Sequence, residues 1–433
     1  MAGIIKKKQY YKISFELASP LAVGSGNNEN TDKDLIKDAK GIPYIPASSL
    51  AGVIRDILSE KDEGKAEVDK YFGKVVINTG KGENLEKEES RIIFYDAYIS
   101  SGVPRITVRD SVALDQYKTA IKGAKFDMEV LEPGVTFTTF IEQNYLEESD
   151  KDYGCCIANV FASEEPVFGG KSMRGYGSIM NVSISEKSFD LSTEAEKWLE
   201  FDPYDSEAEW NAFVVTDHDN DHGKEISLTM KLNGGISIRR YTTKVSKGET
   251  SEPDMEQLTI GAEGIPVIPG TTWAGAISHR MEEFGIKKEE RGRIFGFVAG
   301  DGKESKARSK ISFSESKIEG GNFKVISRNA IDRFTGGTVD GALYTERTYY
   351  GGSTVLRIGW HDKEAIPENG KKALAAALTD LHYGILAVGG ETSVGRGIFS
   401  ISKVNEVDIP EAKPENSGEV FGKILSVIEE AFK

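Results

Sequence analysis

The chain has 433 residues, of which 39% are hydrophobic and 28% are charged, a composition typical of a folded globular protein with two or three domains. Its formal net charge of −15 argues against indiscriminate binding of nucleic acid. A narrow basic track stays compatible with that charge, because salt screens charges beyond about 10 Å. The two cysteines, Cys155 and Cys156, are adjacent and seldom form a disulfide in that arrangement, so we expect a reducing cytoplasm. No apolar run has the length of a membrane span and no signal-peptide core follows the first lysines, so we expect no membrane partner.

The first half of the chain predicts a series of strands and helices. The prolines of IPYIP favour an extended backbone, so the next helix begins after them. Residues 61–89 are highly charged, and we expect most of them to form a mobile segment. The predicted elements are, in order, a strand at 10–23, a loop at 24–40, a helix ending near 60, a strand at 91–99, a hairpin within 104–132, a strand at 135–141, a short helix at 155–161 and a strand from 179.

The second half repeats the first. IPYIPASSLAGVIR at 42–55 returns as IPVIPGTTWAGAIS at 265–278, and GGKSMRGYG at 169–177 returns as GGETSVGRG at 389–397. Such a repeat indicates two copies of one domain. The order of elements in each copy is the ferredoxin-like, or RRM-like, βαββαβ pattern of an α+β fold, with an inserted hairpin.

The repeat also predicts where the domains begin and end. We expect a first domain at 1–187, an acidic linker at 188–224, and a second domain at 225–433 that ends in a further helix. Within the second domain, residues 239–263 correspond to the loop of the first copy, and residues 328–350 correspond to its hairpin.

Two features of each copy can bind an anion or can be purely structural. The pairs Ser48–Ser49 and Thr271–Thr272 can cap the helix that follows, or the free N–H groups of that helix can hold a phosphate. The glycine-rich turns can need glycine only for their backbone angles, or their N–H groups can form a nest for an oxyanion. Lys171, Arg174 and Arg396 add positive charge to these turns, which favours phosphate.

The inserted hairpins and the loops after the first strands carry charged candidates. Basic residues of the hairpins can form a solvated face, or a finger on a nucleic-acid backbone. They are Arg109, Lys118, Lys122, Lys125, Arg328, Arg333 and Arg347. Loop carboxylates are usually only solvated. Those in the two loops are Asp32, Asp34, Asp38, Asp254 and Glu256. The aromatic signature with which RRM sheets stack RNA bases is not evident on the central strands.

Three motifs, each present twice, resemble those of the RAMP superfamily. IPASSLAGVIR and IPGTTWAGAIS are similar to its IPGSSLKG signature, and the two glycine-rich turns are similar to its glycine-rich loop. RNAIDRFTGGTVDGALYTE and RDSVALDQYKTAIKGAKFDMEVLEPG resemble the thumb hairpin of the backbone subunits of type III CRISPR effector complexes. The whole pattern resembles a tandem fusion of two such subunits, as in subtype III-D.

This resemblance implies a subunit that binds CRISPR guide RNA, complementary target RNA and other effector subunits. It also implies endoribonuclease activity at an aspartate in the loop after the first strand, which matches Asp32 in DKDLIKD and Asp254 in DMEQLTIG. The same two aspartates would bind a divalent metal, Mg²⁺ or Mn²⁺. The residues that we predict to contact RNA are Ser48, Ser49, Arg55, Arg109, Lys125, Gly169, Gly170, Lys171, Arg174, Thr271, Thr272, Arg328, Arg333, Gly389, Gly390 and Arg396.

Two alternatives stay open at this point. The chain can be a scaffold that holds guide RNA while one or both aspartates are inactive. It can also be an unrelated interaction protein built from duplicated ferredoxin-like domains, although the recurrence of three motifs in the same order disfavours that interpretation.

Overall fold

A computed structural model describes residues 4–26, 31–60, 64–76, 86–114, 120–216, 224–241, 253–261, 263–297, 307–362 and 364–433. The chain divides into two compact units. The first unit contains Met1–Val108, Asp127–Ser172 and Tyr176–Asp221, and the second contains Arg109–Phe126, Met173–Gly175 and His222–Lys433. The second unit therefore includes two short segments of the first sequence repeat.

The first half of the chain alternates between strands and helices. The helices are α1 (Ala47–Glu60), α2 (Gly64–Phe72), α3 (Tyr153–Ala162) and α4 (Ala195–Glu200). The strands are β1 (Lys7–Leu17), β2 (Lys74–Val76), β3 (Glu86–Glu88), β4 (Ile92–Phe94), β5 (Tyr98–Ser101), β6 (Ile106–Leu114), β7 (Ala120–Leu131), β8 (Thr136–Tyr145), β9 (Ile179–Asp190) and β10 (Asn211–Ala212). Strands β6 and β7 pair with each other and form the first hairpin.

The first sheet is antiparallel, with the order β10-β9-β1-β8-β4, and β5 also pairs with β8. Alternation in β1 decides which side faces the core, because successive side chains of a strand point to opposite faces. Tyr11, Ile13 and Phe15 are fully buried, and they pack against the helices that cover this face, including Ile54 of α1 and Ile157 of α3.

The second half repeats this arrangement. Its helices are α5 (Gly270–Glu283), α6 (Lys288–Phe295), α7 (Glu368–His382) and α8 (Ser417–Ala431). Its strands are β11 (Lys224–Asn233), β12 (Gly235–Ile236), β13 (Arg239–Tyr241), β14 (Met255–Gln257), β15 (Thr259–Ile260), β16 (Ile265–Ile268), β17 (Ile311–Phe313), β18 (Ser316–Glu319), β19 (Asn322–Arg328), β20 (Tyr344–Tyr350), β21 (Ser353–Trp360), β22 (Ile398–Val404) and β23 (Val407–Asp408). Strands β19 and β20 pair and form the second hairpin.

Strand β11 lies between β21 and β22, just as β1 lies between β8 and β9. Its residues Ile226, Leu228 and Met230 are buried against Trp273 of α5 and Leu378 of α7. Each repeat thus places its opening strand at the centre of an antiparallel sheet, with helices on one face. The predicted α+β class and the two repeated domains are confirmed.

The structure adds helices where the charge pattern predicted none. Helix α2 lies within the segment that we expected to be mobile, and it is held by Val68 and Tyr71, which are buried. The ring of Tyr71 stacks on that of Tyr153, with centroids 4.5 Å apart. Two buried side chains are too few to produce a recognisable helical period, so only the tertiary contact identifies this helix.

The segment predicted as an acidic linker is largely structured where it is described. Strand β9 runs on to Asp190, helix α4 follows, and β10 pairs with β9 at the edge of the first sheet. The described part of this segment belongs to the first compact unit. The predicted loop at 239–263 likewise contains the short strands β13, β14 and β15. No helix in the described part of the chain is both long enough and apolar enough to cross a membrane.

Candidate functional site

The loop that carries Asp32 is bonded to the return strand of the first hairpin. The backbone N–H of Asp32 donates to Asp127 Oδ1 at 2.9 Å, and the backbone N–H of Asp127 donates to Asp32 Oδ2 at 3.0 Å. Asp127 lies on β7, 95 positions along the chain. The exposed Asp32 is therefore fixed at the base of the hairpin by two reciprocal bonds.

The neighbouring carboxylates of this loop have structural roles. Asp34 is buried and accepts hydrogen bonds from the N–H and the hydroxyl of Thr31 at 2.8 and 2.9 Å. Glu129 of β7 accepts from the N–H of Leu35 at 3.0 Å and forms an ion pair with Lys37 at 2.9 Å. The bonds of Asp34 thus fix the shape of the loop around Asp32, and those of Glu129 hold the residues after Asp32 on β7.

Asp254 occupies the matching position in the second repeat. The backbone N–H of Asp254 donates to Thr345 Oγ1 at 3.3 Å, and the backbone N–H of Thr345 donates to Asp254 Oδ2 at 2.8 Å. Thr345 lies on β20, the return strand of the second hairpin, 91 positions along the chain. The next residues continue as a parallel pair of strands, with Met255 opposite Glu346.

Sequence reasoning missed both partners, Asp127 and Thr345. A gap-free comparison of the two hairpin segments pairs Asp127 with Glu346. The reciprocal bonds instead pair it with Thr345, so the two hairpins differ in length. The only signal in the sequence is a polar residue in each return strand, which by itself does not indicate a contact.

The predicted capping of the two helices is wrong. Helix α1 begins at Ala47, whose N–H donates to Asp96 Oδ1 at 2.7 Å, and Ser48 and Ser49 lie inside the first turn. Helix α5 begins at Gly270 after Pro269, with no side-chain cap. The carboxylate of Asp96 therefore occupies the start of α1, the position that a bound phosphate would take. Carboxylates and phosphates both favour the positive end of a helix.

The glycine-rich turns have the same backbone in both repeats. Gly169 and Gly389 have positive φ, and the N–H groups that follow them, those of Gly170 and Gly390, donate to carbonyl groups of the opening loops at 2.7 and 2.8 Å. A Cβ at Gly397 would lie 1.8 Å from the carbonyl oxygen of Val388. These contacts explain the glycines by backbone geometry, and they engage the two N–H groups that an oxyanion nest would use.

Three of the predicted RNA-binding arginines are buried or partly buried in the second unit. Arg109 is 4% exposed and forms an ion pair with Glu315. Arg174 donates to the carbonyl oxygens of Phe295 and Ile311 at 3.0 and 3.1 Å, and burial lowers its pKa to about 10. Arg396 is 5% exposed. In this structure their charges are engaged inside the protein.

Arg396 belongs to a buried charge network between the second glycine-rich turn and the second hairpin. Its Nη2 lies 3.0 Å from Glu346 Oε1, and Arg328 Nη2 lies at the same distance from that oxygen. Arg239 donates to Glu391 Oε1 at 2.9 Å. Burial, reinforced by the neighbouring Glu346, raises the pKa of Glu391. Three guanidinium groups and two carboxylates thus fix the base of the hairpin.

Other predicted contacts are more accessible. Arg333 is exposed on the segment that joins β19 to β20, and Phe334 beside it is 99% exposed. Lys125 is exposed on the first hairpin and pairs with Asp110 at 3.2 Å. Arg55 pairs with Asp69 of α2 at 2.6 Å. Lys171 is partly buried, with its Nζ 5.7 Å from the ring centroid of Tyr176. Lys118 lies outside the described residues.

The sheet face that an RRM domain uses for RNA is covered in the first unit. The indole N–H of Trp198 donates to the hydroxyl of Tyr10 on β1 at 2.9 Å, and burial raises the pKa of Tyr10 to about 12. The ring of Trp210 stacks on Phe140 of β8, with centroids 5.8 Å apart. The chain's own segment around α4 and β10 thus occupies this face, which leaves the hairpins and loop ends for a polar ligand.

The described residues contain no group of three or more His, Cys, Asp or Glu side chains that could hold a metal ion. Asp32 and Asp127 provide two neighbouring carboxylates, whereas Asp254 is joined by the hydroxyl of Thr345. Any metal at these positions would therefore need ligands beyond the described side chains, such as phosphate oxygens and water.

The geometry defines a protein of two tandem modules, each with a helix-backed antiparallel sheet, an inserted hairpin and an aspartate fixed at the base of that hairpin. The model of the RAMP superfamily matches residues 14–180 and again residues 234–400. The chain belongs to this superfamily, and the recognition made from the repeated motifs is confirmed.

Similar proteins come from CRISPR systems. Over 171 residues the chain is 32% identical to the CRISPR system Cms endoribonuclease Csm3 of Methanocaldococcus jannaschii. The matched region spans 34% of this chain and 66% of that protein, which is slightly less than two thirds of its length. A chain in the cryo-EM structure of the type III-B Cmr-beta bound to cognate target RNA is 18% identical, with a TM-score of 0.32, over 41% of this chain and 61% of that chain.

Proposed function

We propose that this chain is a backbone subunit of a type III CRISPR ribonucleoprotein. In this proposal it binds guide RNA and cleaves complementary target RNA at two positions, one at Asp32 and one at Asp254. The observation that carries the proposal is that both aspartates are held at the base of a hairpin by the same reciprocal bonds. The similarity to Csm3, an endoribonuclease of a CRISPR system, supports the reaction class.

The proposed reaction is an in-line transesterification of RNA. The 2′-hydroxyl next to the scissile phosphate attacks phosphorus and forms a new O–P bond, while the bond from phosphorus to the 5′-oxygen breaks. A carboxylate oxygen of Asp32 or Asp254 accepts the proton of the attacking hydroxyl. The products are a 2′,3′-cyclic phosphate and a 5′-hydroxyl, the latter after protonation of the leaving oxygen.

Mg²⁺ or Mn²⁺ is compatible with these residues as a shared ion. Mg²⁺ is commonly bound by one or two carboxylates together with substrate phosphates and water, rather than by a complete protein cage. Asp32 in the first repeat and Asp254 in the second would supply the carboxylate ligands. When bound, the ion would neutralise charge that develops on the phosphate oxygens.

The hairpins and the loop ends are the proposed RNA track. In the first unit the sheet face is covered by the segment that carries Trp198 and Trp210, so stacking on that face is not available. Arg333 and Phe334 together offer a cation and an aromatic ring at the end of the second hairpin. Such a pair suits a single strand, because the cation meets phosphate and the ring stacks on a base.

The test uses the reconstituted complex with guide RNA and a labelled complementary target. We expect Asp32→Ala to remove one set of cuts, Asp254→Ala to remove the other, and the double variant to remove both. The control Asp56→Ala changes an exposed carboxylate of α1 and should keep all cuts. A single 2′-deoxynucleotide on the 5′ side of a cut should block that cut alone.

The alternative is a scaffold that holds guide RNA without cutting. Unchanged cleavage in the double variant would reject the nuclease proposal and favour this alternative. Loss of only one set of cuts in the double variant would mean that one repeat is catalytic and the other is structural.

A further inference from the structure

The two candidate aspartates have chemically different partners. Asp127 supplies a carboxylate to the N–H of Asp32, whereas Thr345 supplies a hydroxyl to the N–H of Asp254. The returning bond is the same in both repeats, since the backbone N–H of each partner donates to the aspartate side chain at 3.0 and 2.8 Å. The property that the two partners share is an oxygen that accepts a hydrogen bond, and not a negative charge.

We infer that Asp127 and Thr345 are positioning residues that orient Asp32 and Asp254 for cleavage, and that they act as hydrogen-bond acceptors. This inference rests on the proposed function. The partner side chain holds the backbone of the aspartate, while the partner backbone holds its carboxylate. Removing the partner oxygen breaks the first of these bonds and leaves the second, so the backbone of the aspartate is held less firmly on the hairpin.

The first site depends on this anchor because Asp32 is exposed. Neighbouring bonds hold the loop from Lys33 onward, because the N–H of Glu129 donates to the carbonyl oxygen of Lys33 at 3.0 Å and its carboxylate accepts from the N–H of Leu35 at 3.0 Å. The bonds with Asp127 hold the backbone N–H and the carboxylate of Asp32 itself. A displacement of about 1 Å at a reacting group can cost about 100-fold in rate. A carboxylate whose backbone can turn away from the hairpin is therefore expected to lose a large part of its activity.

The second site is anchored by a longer bond. The N–H of Asp254 lies 3.3 Å from Thr345 Oγ1, and the same hydroxyl donates to Asp254 Oδ2 at 3.3 Å. Both contacts are weaker than the 2.9 Å bond of the first site, because hydrogen bonds weaken with distance. We expect a smaller loss when this hydroxyl is removed.

The test compares matched substitutions in the assembled complex and reads each cut separately. Asp127→Ala should slow its own cut by about tenfold or more, whereas Asp127→Asn, which keeps an acceptor oxygen, should stay within about threefold of the natural rate. Thr345→Val should slow only the other cut, by about threefold to tenfold, and Thr345→Ser should retain it. In each variant, the cut at the unchanged repeat reports whether the complex has assembled.

A second readout is independent of cleavage. Hydrogen–deuterium exchange of the chain should show faster exchange of the Asp32 amide in Asp127→Ala, and a natural rate in Asp127→Asn. If Asp127→Asn slows the cut as much as Asp127→Ala does, the negative charge is required and the inference is wrong. If Asp127→Ala leaves both the cut and the exchange unchanged while Asp32→Ala abolishes the cut, the inference fails and the proposed function stands. If the cut assigned to Asp32 survives Asp32→Ala, the proposed function of Asp32 itself is rejected.

Discussion

Removal of the Glu346 carboxylate should destabilise the second unit strongly. Glu346 is 1% exposed, and its Oε1 lies 3.0 Å from guanidinium nitrogens of both Arg328 and Arg396. In Glu346→Met the carboxylate that those two cations keep among the described residues is Glu391, at 3.9 and 3.7 Å. Breaking a buried pair by removing one partner costs about 3–5 kcal/mol, because an uncompensated charge stays buried.

The expected loss corresponds to a clear change in thermal stability. For a domain of about 150–250 residues, each kcal/mol shifts Tm by about 2–4 °C, so the transition of the second unit should fall by about 6–20 °C. Calorimetry of the full chain measures this shift. Hydrogen exchange of the peptide that covers β20 assigns the change to the hairpin base.

The first repeat provides the matched control. By the register of the reciprocal bonds, Met128 corresponds to Glu346, and by the alignment of the glycine-rich turns, Tyr176 corresponds to Arg396. Both residues of the first repeat are buried. The double variant Glu346→Met with Arg396→Tyr should therefore recover at least half of the lost stability, since apolar replacement of a whole buried pair is often neutral. A Tm change of less than about 2 °C in the single variant, or no recovery in the double variant, would refute this reasoning.

Three further predictions follow from single contacts. Gly397→Ala should destabilise the chain by at least about 1–3 kcal/mol in chemical denaturation, because its φ is +71° and the new Cβ would lie 1.8 Å from the Val388 carbonyl oxygen. The control Gly418→Ala should have no such cost, because its new Cβ would have no neighbouring atom within 4 Å. Burial lowers the pKa of His382, so below its unfolded pKa of about 6.5 the unfolded state binds a proton more readily than the folded state. The free energy of unfolding should therefore be constant above that pH and fall below it by at most about 1.4 kcal/mol per pH unit. His382→Gln should show a smaller slope. Phe334→Ala should leave Tm unchanged, because the side chain is 99% exposed. In filter binding it should weaken the binding of target RNA by the complex by about 1–3 kcal/mol, whereas Phe334→Trp should keep the natural affinity.

The repeated motifs and the opening strands could be read from the sequence because their signals are local. The alternation of Tyr11, Ile13 and Phe15 predicts a strand with one buried face, and β1 is buried in that pattern. The two glycine-rich turns match in sequence, and their glycines Gly169 and Gly389 share positive φ. Glycine and alternating apolar residues restrict the chain within a few positions, so no distant contact is needed to interpret them.

The roles of the charged residues depended on contacts between distant parts of the chain. Nothing local distinguishes Arg109, which is buried against Glu315, from Arg333, which is exposed. The local sequence also does not show that Ser48 leaves its helix uncapped and that Asp96 accepts the hydrogen bond from the first N–H of that helix.

By itself, the sequence determined that the chain is a duplicated module of the RAMP superfamily and which two aspartates are the candidates. Only the tertiary structure decided that Asp32 is bonded to Asp127 and Asp254 to Thr345, 95 and 91 positions away. It also decided which arginines are enclosed by carboxylates. The physical reason is that burial and hydrogen bonding of a polar group depend on what the fold brings next to it, and that neighbour has no fixed spacing in the sequence.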